Sequence, residues 1–252
     1  MRGGAFFAES PPRIFAHRGL ALEVPENTPP AFRAALKAGA THLETDVHAS
    51  ADGIAVVSHD PDVKRVSGHE ASIEQLSMAE LRAIDLGGGQ GFVSLSEVLA
   101  GFPHALFNVD VKSSRAVEPA ARAILAAGAT DRVLITSFSL RRRRRTVALL
   151  PGVSTSASSV QVLCAFVGAR LRIAPLIRHV ARAVDALQLP ERYGRFRLVT
   201  PRTVRAWHSA GLEVHVWTVN DLADMRRLLA LGVDGIITDR CDLAKGVIGH
   251  RP

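Results

Sequence analysis

Residues 203–238 read TVRAWHSAGLEVHVWTVNDLADMRRLLALGVDGIIT, and this stretch decides the fold. It divides into an amphipathic helix over Thr203–Ala210, a β-branched strand over Glu213–Val219, a helix over Leu222–Leu231 and a strand over Gly235–Thr238. Two strands joined by a helix lie parallel in one sheet. Working outward, the same rhythm runs back along the chain. Strands are expected at Arg13–Ala16, His42–Val47, Ala105–Val111, Arg132–Thr136, Val153–Ala157 and Ala186–Leu189. Helices are expected at Pro29–Ala38, Ser96–Ala100, Ala116–Ala127 and Leu140–Leu150, with mostly helical chain up to Ala183. Thr28 suits the N-cap of the first helix, Pro29 its first turn and Gly39 its stop. Eight core strands in βα order predict an α/β protein, a (β/α)8 TIM-type barrel.

One stretch breaks the rhythm. After Asp52-Gly53 and an extended piece at Ile54–Ser58, residues 61–94 hold Gly68, a short helix near Met78–Ile84 and Gly87-Gly88-Gly89. This is read as an insertion after the second strand, too short for a core of its own, within a single domain over residues 1–252.

Composition narrows the class. The chain has 252 residues, 47% hydrophobic and 22% charged, which excludes wholesale disorder. Cys164 and Cys241 cannot form a disulfide framework and lack metal-ligand spacing, so a reducing, cytoplasmic setting is expected. No apolar run before Glu9 resembles a signal peptide, and the greasiest stretch, 160–180, is cut by Arg170, Arg172 and Arg178. The net charge of +7 suits an anionic substrate or a weak association with a membrane surface. Nucleic-acid binding is not expected, because no aromatic-basic motif accompanies the charge. Arg141–Arg145 would sweep around a helix axis and is read as a solvated helix start, with attraction to acidic lipid headgroups as the sharper alternative.

In a barrel, chemistry gathers where strands end. Glu44 and Asp46, two apart on a strand, share a face; so do Asn108, Asp110 and Lys112. Three carboxylates without clustered His or Cys describe a hard cation, Mg²⁺ or Ca²⁺, and Lys112 can meet an anionic oxygen. His17-Arg18 ends the first strand and offers a proton carrier beside a fixed cation. His59, in His59-Asp60, would complete a site with two proton carriers.

These residues carry a family resemblance. His17-Arg18-Gly19, Pro25-Glu26-Asn27-Thr28, Leu43-Glu44-Thr45-Asp46-Val47, His59-Asp60, Phe107-Asn108-Val109-Asp110-Val111-Lys112, Ser137-Phe138, Val216-Trp217-Thr218-Val219-Asn220 and Gly232–Asp239 resemble, in order and spacing, the glycerophosphodiester phosphodiesterase family. The resemblance implies a barrel, one divalent cation, and cleavage of a small glycerophosphodiester to sn-glycerol 3-phosphate and an alcohol. It implies Glu44, Asp46 and Asp110 as metal ligands, His17 and His59 as the acid–base pair, and Arg18 and Lys112 near the phosphate. Asp110 departs from the Glu often found there. Trp217 is either a wall for glycerol or the leaving group, or a packing residue. Glu26 either touches the metal site or fixes Arg18; Asn27 holds the turn.

The chemistry expected is attack by the glycerol 2-hydroxyl, giving a cyclic phosphate that water opens, with direct attack by water as the other route. Two other functions stand beside it: a lysophospholipase D-type phosphodiesterase or lyase that yields a cyclic phosphate, and a barrel that binds phosphate esters without turnover.

Overall fold

A computed structural model describes residues 4–68 and 70–248. The sequence readings that touch residues 1–3, 69 and 249–252 lie outside that range.

The strands are β1 (Arg13–Ala16), β2 (His42–Ala49), β3 (Ala55–Val57), β4 (Leu106–Val111), β5 (Val133–Thr136), β6 (Ser154–Thr155), β7 (Ala186–Pro190), β8 (Arg192–Tyr193), β9 (Phe196–Arg197), β10 (Glu213–Trp217) and β11 (Gly235–Thr238). Eight run parallel in the order β6-β5-β4-β2-β1-β11-β10-β7. The seam between β6 and β7 is joined by a parallel bridge, Ser156 to Ala186. There the Ala157 N–H donates to Ala186 O at 2.9 Å, and the Asp185 N–H to Thr155 O at 2.8 Å. The expected barrel is therefore present and nearly closed, with its helices outside.

Alternation along the strands explains the layering. On β2, Leu43 and Val47 join the main core under the helices while Glu44 and Asp46 point into the barrel. On β4, Phe107, Val109 and Val111 face out, and Asn108 and Asp110 face in. The register sets Glu44 beside Asn108 and Asp46 beside Asp110, so the inward groups form successive layers.

The barrel floor is shut by the segment before β1. Phe6 is buried against the rings of Phe15 and His42. Beside it, the buried Arg13 guanidinium donates to both oxygens of Glu213, at 2.9 Å each. Gly235 is required on β11, because a Cβ there would lie 2.8 Å from the Phe15 ring.

Several sequence expectations need correction. The strand expected at Val153–Ala157 is only Ser154–Thr155, since the chain peels away into the helix Ser159–Leu171. The extended piece expected after Asp52-Gly53 is present as β3, antiparallel to β2 and outside the ring of eight, in keeping with the eight core strands expected. Segment 61–94 has a small cluster of its own, Val63, Ile73, Met78, Leu81 and Phe92, seated on Val56 of β3. Thr28 does take the N-cap position, but its hydroxyl donates to Pro25 O at 2.6 Å instead of capping. The arginine run is not uniformly solvated. Arg143 is buried and donates to Thr155 Oγ1 and Ala183 O, both at 3.3 Å. The β8–β9 hairpin was not expected at all.

Candidate active site

The C-terminal ends of the strands open into a cleft of about 750 Å³. His17, Arg18, Glu44, Asp46, His59, Asp110, Lys112 and Trp217 all line it. Glu26 and Asn27 do not line it, and act on it through Arg18 and Asp46.

His17 follows β1, and the turn after it is tight. Arg18 takes a left-handed φ of 56° and Gly19 one of 85°. A Cβ on Gly19 would meet the Ala31 backbone at 2.7 Å, so this position needs glycine. The turn aims the Arg18 N–H at Glu44, whose Oε2 accepts it at 3.1 Å. The Arg18 side chain donates to Glu26 Oε1 at 3.1 Å and lies 3.3 Å from Asp46 Oδ2. Glu26 thus fixes Arg18, one of the two roles expected for it. Asn27 does more than hold a turn. From a left-handed φ of 58° its amide reaches Asp46 Oδ2 at 3.4 Å and accepts from Thr45 Oγ1 at 2.8 Å.

The carboxylates sit deep. Glu44, Asp46 and Asp110 are buried. Lys112 is not a free cation, because its Nζ lies 2.8 Å from Asp46 Oδ1 and 2.6 Å from Asp110 Oδ2. The second oxygen of Asp110 is buried without a hydrogen-bond partner. Burial, followed by the Asp46 charge, pushes Glu44 up to about 8. Burial also raises Asp110, against the pull of Lys112. For Lys112, burial is outweighed by Asp110 and Asp46, which raise it. Among the described residues, no three His, Cys, Asp or Glu side chains stand close enough to enclose an ion as placed; the Lys112 ammonium lies between two of the carboxylates.

Both imidazoles are tethered at Nδ1. His17 Nδ1 lies 2.6 Å from Asp239 Oδ1, and His59 Nδ1 lies 2.9 Å from Asp60 Oδ1. A carboxylate can only accept, so each Nδ1 carries a proton and each Nε2 is left for chemistry. His17 Nε2 lies 3.9 Å from Glu44 Oε2. Burial depresses His17, but the Asp239 hydrogen bond and the Glu44 charge outweigh it and the net shift is upward. Asp60 is held from its other side by Arg65, which also donates to Glu26 at 2.6 Å.

Three contributors escaped the sequence reading. Asp239 was visible only as part of a motif. Asn220 donates to Asp239 Oδ2 at 2.7 Å and accepts its N–H at 2.9 Å. Arg142, from the arginine run, donates to Ser137 Oγ at 3.0 Å and adds positive potential at Asp110. Trp217 lines the cleft and packs edge-on against Phe138, with ring centroids 5.9 Å apart.

The sequence pattern of the glycerophosphoryl diester phosphodiesterase family matches residues 17–243, a span that holds every group just described. The chain belongs to this family. A phosphodiesterase activity on glycerophosphoryl diesters follows from that membership. The chain is 40% identical over 235 residues to the probable glycerophosphodiester phosphodiesterase 2 of Mycobacterium tuberculosis, covering 92% of this chain and 89% of the relative. It is 31% identical to a glycerophosphodiester phosphodiesterase of Caldanaerobacter subterraneus, over 90% of this chain and 93% of that one. Its fold is similar to the crystal structure of a glycerophosphodiester phosphodiesterase from Agrobacterium tumefaciens, at 25% identity and TM-score 0.75, covering 94% and 99% of the two chains. It is also similar, at 21% identity and TM-score 0.77 over 95% and 97%, to an Oleispira antarctica phosphodiesterase solved with the product sn-glycerol 3-phosphate. In this phosphodiesterase family member, no helix among the described residues is long and apolar enough to cross a membrane.

Proposed function

We propose that the chain hydrolyses glycerophosphodiesters to sn-glycerol 3-phosphate and an alcohol. In this reading Glu44, Asp46 and Asp110 hold one divalent cation, and His17 and His59 move the protons. The observation that carries it is the meeting, in one cleft, of two imidazoles tethered at Nδ1 with a buried carboxylate cluster.

The residues fit a hard cation. Three buried carboxyl groups face only two fixed cations, Arg18 and Lys112, so the floor lacks the positive charge that would keep all three ionised. The unpartnered Asp110 oxygen and the upward shift of Glu44 both mark carboxylates short of positive charge. Oxygen-only donors select Mg²⁺ or Ca²⁺ over softer metals. Such an ion, when bound, draws charge from a non-bridging phosphate oxygen.

The chain's own groups do the rest. Arg18, braced by Glu26, offers fixed positive charge to the phosphate. Lys112 is the second candidate for that role once its two carboxylates are otherwise engaged. One imidazole accepts a proton at Nε2 from the glycerol 2-hydroxyl, whose oxygen attacks phosphorus. The other donates from Nε2 to the departing alcohol oxygen as the P–O bond breaks. The cyclic phosphate is then opened by water with the proton roles reversed, giving sn-glycerol 3-phosphate. The internal hydroxyl is preferred over direct attack by water because it is tethered beside phosphorus. Proton transfer of this kind contributes ~10²–10⁴-fold.

The test is release of glycerol 3-phosphate from glycerophosphocholine and glycerophosphoethanolamine with Mg²⁺, Ca²⁺ or EDTA. The proposal expects release with a divalent ion, loss on chelation and recovery on adding the ion back. Undiminished release after thorough chelation would reject the metal assignment.

A further inference from the structure

The mouth end of the barrel carries positive charge that the chemistry does not use. From Ser159 to Arg205 the sequence has nine arginines and two acids, an excess equal to the net charge of the whole chain, +7. Both acids are already engaged. Asp185 accepts the Thr155 N–H at 2.9 Å on the barrel seam, and Glu191 is taken by Arg197 and Arg227. Among the described residues, Arg170, Arg172, Arg192, Arg195 and Arg202 are exposed and form no ion pair with a carboxylate.

Three pieces bring these arginines to one end of the molecule. The helix Ser159–Leu171 starts at the cleft, which Ser159 lines. Its far end meets the first turn of the helix Pro201–His208, where Arg202 donates to Arg170 O at 2.9 Å. Between them in sequence stands the β8–β9 hairpin, whose Tyr193 also lines the cleft. Apolar side chains are set among the arginines: Leu163, Leu171, Ile173, Tyr193 and Phe196 are between 42% and 74% exposed. The helix Ser159–Leu171 seats Ala165, Gly168 and Ala169 on the barrel, which leaves Leu163 and Leu171 facing water. Exposed aliphatic and aromatic groups interleaved with unpaired guanidinium groups suit a lipid–water interface, where the first enter the acyl boundary and the second meet headgroup phosphates.

We infer that this surface docks the protein, mouth end down, on an anionic lipid bilayer. Charge complementarity selects that occupant. A second copy fits poorly, because a two-fold contact would set the arginines of one copy against those of the other. A nucleic acid would engage the arginines and the two rings, but it offers Leu163, Leu171 and Ile173 nothing to bury against. A bilayer takes up both kinds of group at once. Docking needs no phosphodiester chemistry, so it stands or falls apart from the hydrolase reading.

The test is flotation of the full chain with vesicles of phosphatidylcholine alone and of equal parts phosphatidylcholine and phosphatidylglycerol. Each arginine near an anionic surface adds about fivefold to partition. The mixed vesicles are therefore expected to bind at least ~10-fold more strongly than the neutral ones, and less so as salt is raised. The triple variant Arg170→Gln/Arg172→Gln/Arg195→Gln should lose ~10–100-fold on the mixed vesicles. The double variant Leu171→Ser/Phe196→Ser should lose roughly tenfold and, with it, the binding that persists in high salt. None of these five residues lines the cleft, so turnover of glycerophosphocholine should be unchanged in both variants. Equal partition onto the two kinds of vesicle, or full binding by the triple variant, would overturn the inference. So would retention by a single-stranded oligonucleotide without binding to vesicles, or a dimer in sedimentation that the double variant disperses while vesicles bind neither form.

Discussion

Asp239 Oδ1 lies 2.6 Å from Nδ1 of His17, and the two meet because Ala16 of β1 pairs in register with Thr238 of β11. Asn220 holds the other oxygen of Asp239 at 2.7 Å, so the carboxylate cannot swing away. Asp239 is therefore a positioning residue that fixes the tautomer and direction of His17. Replacing it with Asn is predicted to lower kcat by roughly 10–100-fold with little change in KM or in the melting midpoint. Steady-state kinetics on glycerophosphocholine check this; a change confined to KM would show that Asp239 does not act through His17.

Glu44 is buried and shares its Oε2 with the Arg18 N–H. In Glu44→Gln the charge is lost while the shape is kept. Mg²⁺ or Ca²⁺ affinity, measured by calorimetry, should weaken by about tenfold or more. Unchanged affinity would remove Glu44 from the ligand set.

The internal-hydroxyl route predicts that a 2-deoxy analogue of glycerophosphocholine is turned over at least ~10²-fold more slowly than the parent diester, since it loses the tethered nucleophile. Product release followed by phosphorus NMR reports both the rate and any cyclic intermediate. Turnover at the normal rate would favour direct attack by water.

The barrel floor predicts acid sensitivity. His42 is fully buried, with Nε2 3.0 Å from Phe6 O and Nδ1 2.8 Å from Thr41 Oγ1. Burial, opposed by the Phe6 carbonyl and assisted by the Arg13 charge, holds it down at about 3. The folded state thus binds this proton more weakly than the unfolded chain does. Its contribution is complete above the ordinary histidine value and drains away as pH falls toward 3. By pH 4.5 the loss from this one group amounts to roughly 2–3 kcal/mol. Glu213, where burial is outweighed by Arg13 and His215, sits at about 2 and adds a loss in the same direction at lower pH. Urea unfolding at pH 7 and 4.5 should show the drop, and His42→Gln should reduce it. A parent and variant with equal slopes would contradict this assignment.

Much of the barrel was legible because its strands alternate. Leu43 and Val47 against Glu44 and Asp46, and Phe107 and Val109 against Asn108 and Asp110, declare a period of two and place the acids on one face. What sequence could not show depends on distant pieces meeting. The Asp239–His17 contact requires the ring to close between β1 and β11. The capture of Lys112 by Asp46 and Asp110 depends on the register between β2 and β4. The β8–β9 hairpin is exposed at Arg192, Tyr193, Phe196 and Arg197, so burial left no pattern there to read. The arginine run hid a signal that could have been found. Arg143, Thr146 and Leu150 are spaced three and four apart and are all buried, whereas the identical neighbours of Arg143 masked that face.

The central claim is that two imidazoles on one cleft move the protons of phosphodiester cleavage. The measurement that tests it most directly is glycerol 3-phosphate release from glycerophosphocholine by His17→Ala and by His59→Ala, each with saturating divalent ion and a melting curve to confirm folding. The account predicts that each folded variant loses ~10²–10⁴-fold in kcat. Parental activity in either one would contradict it.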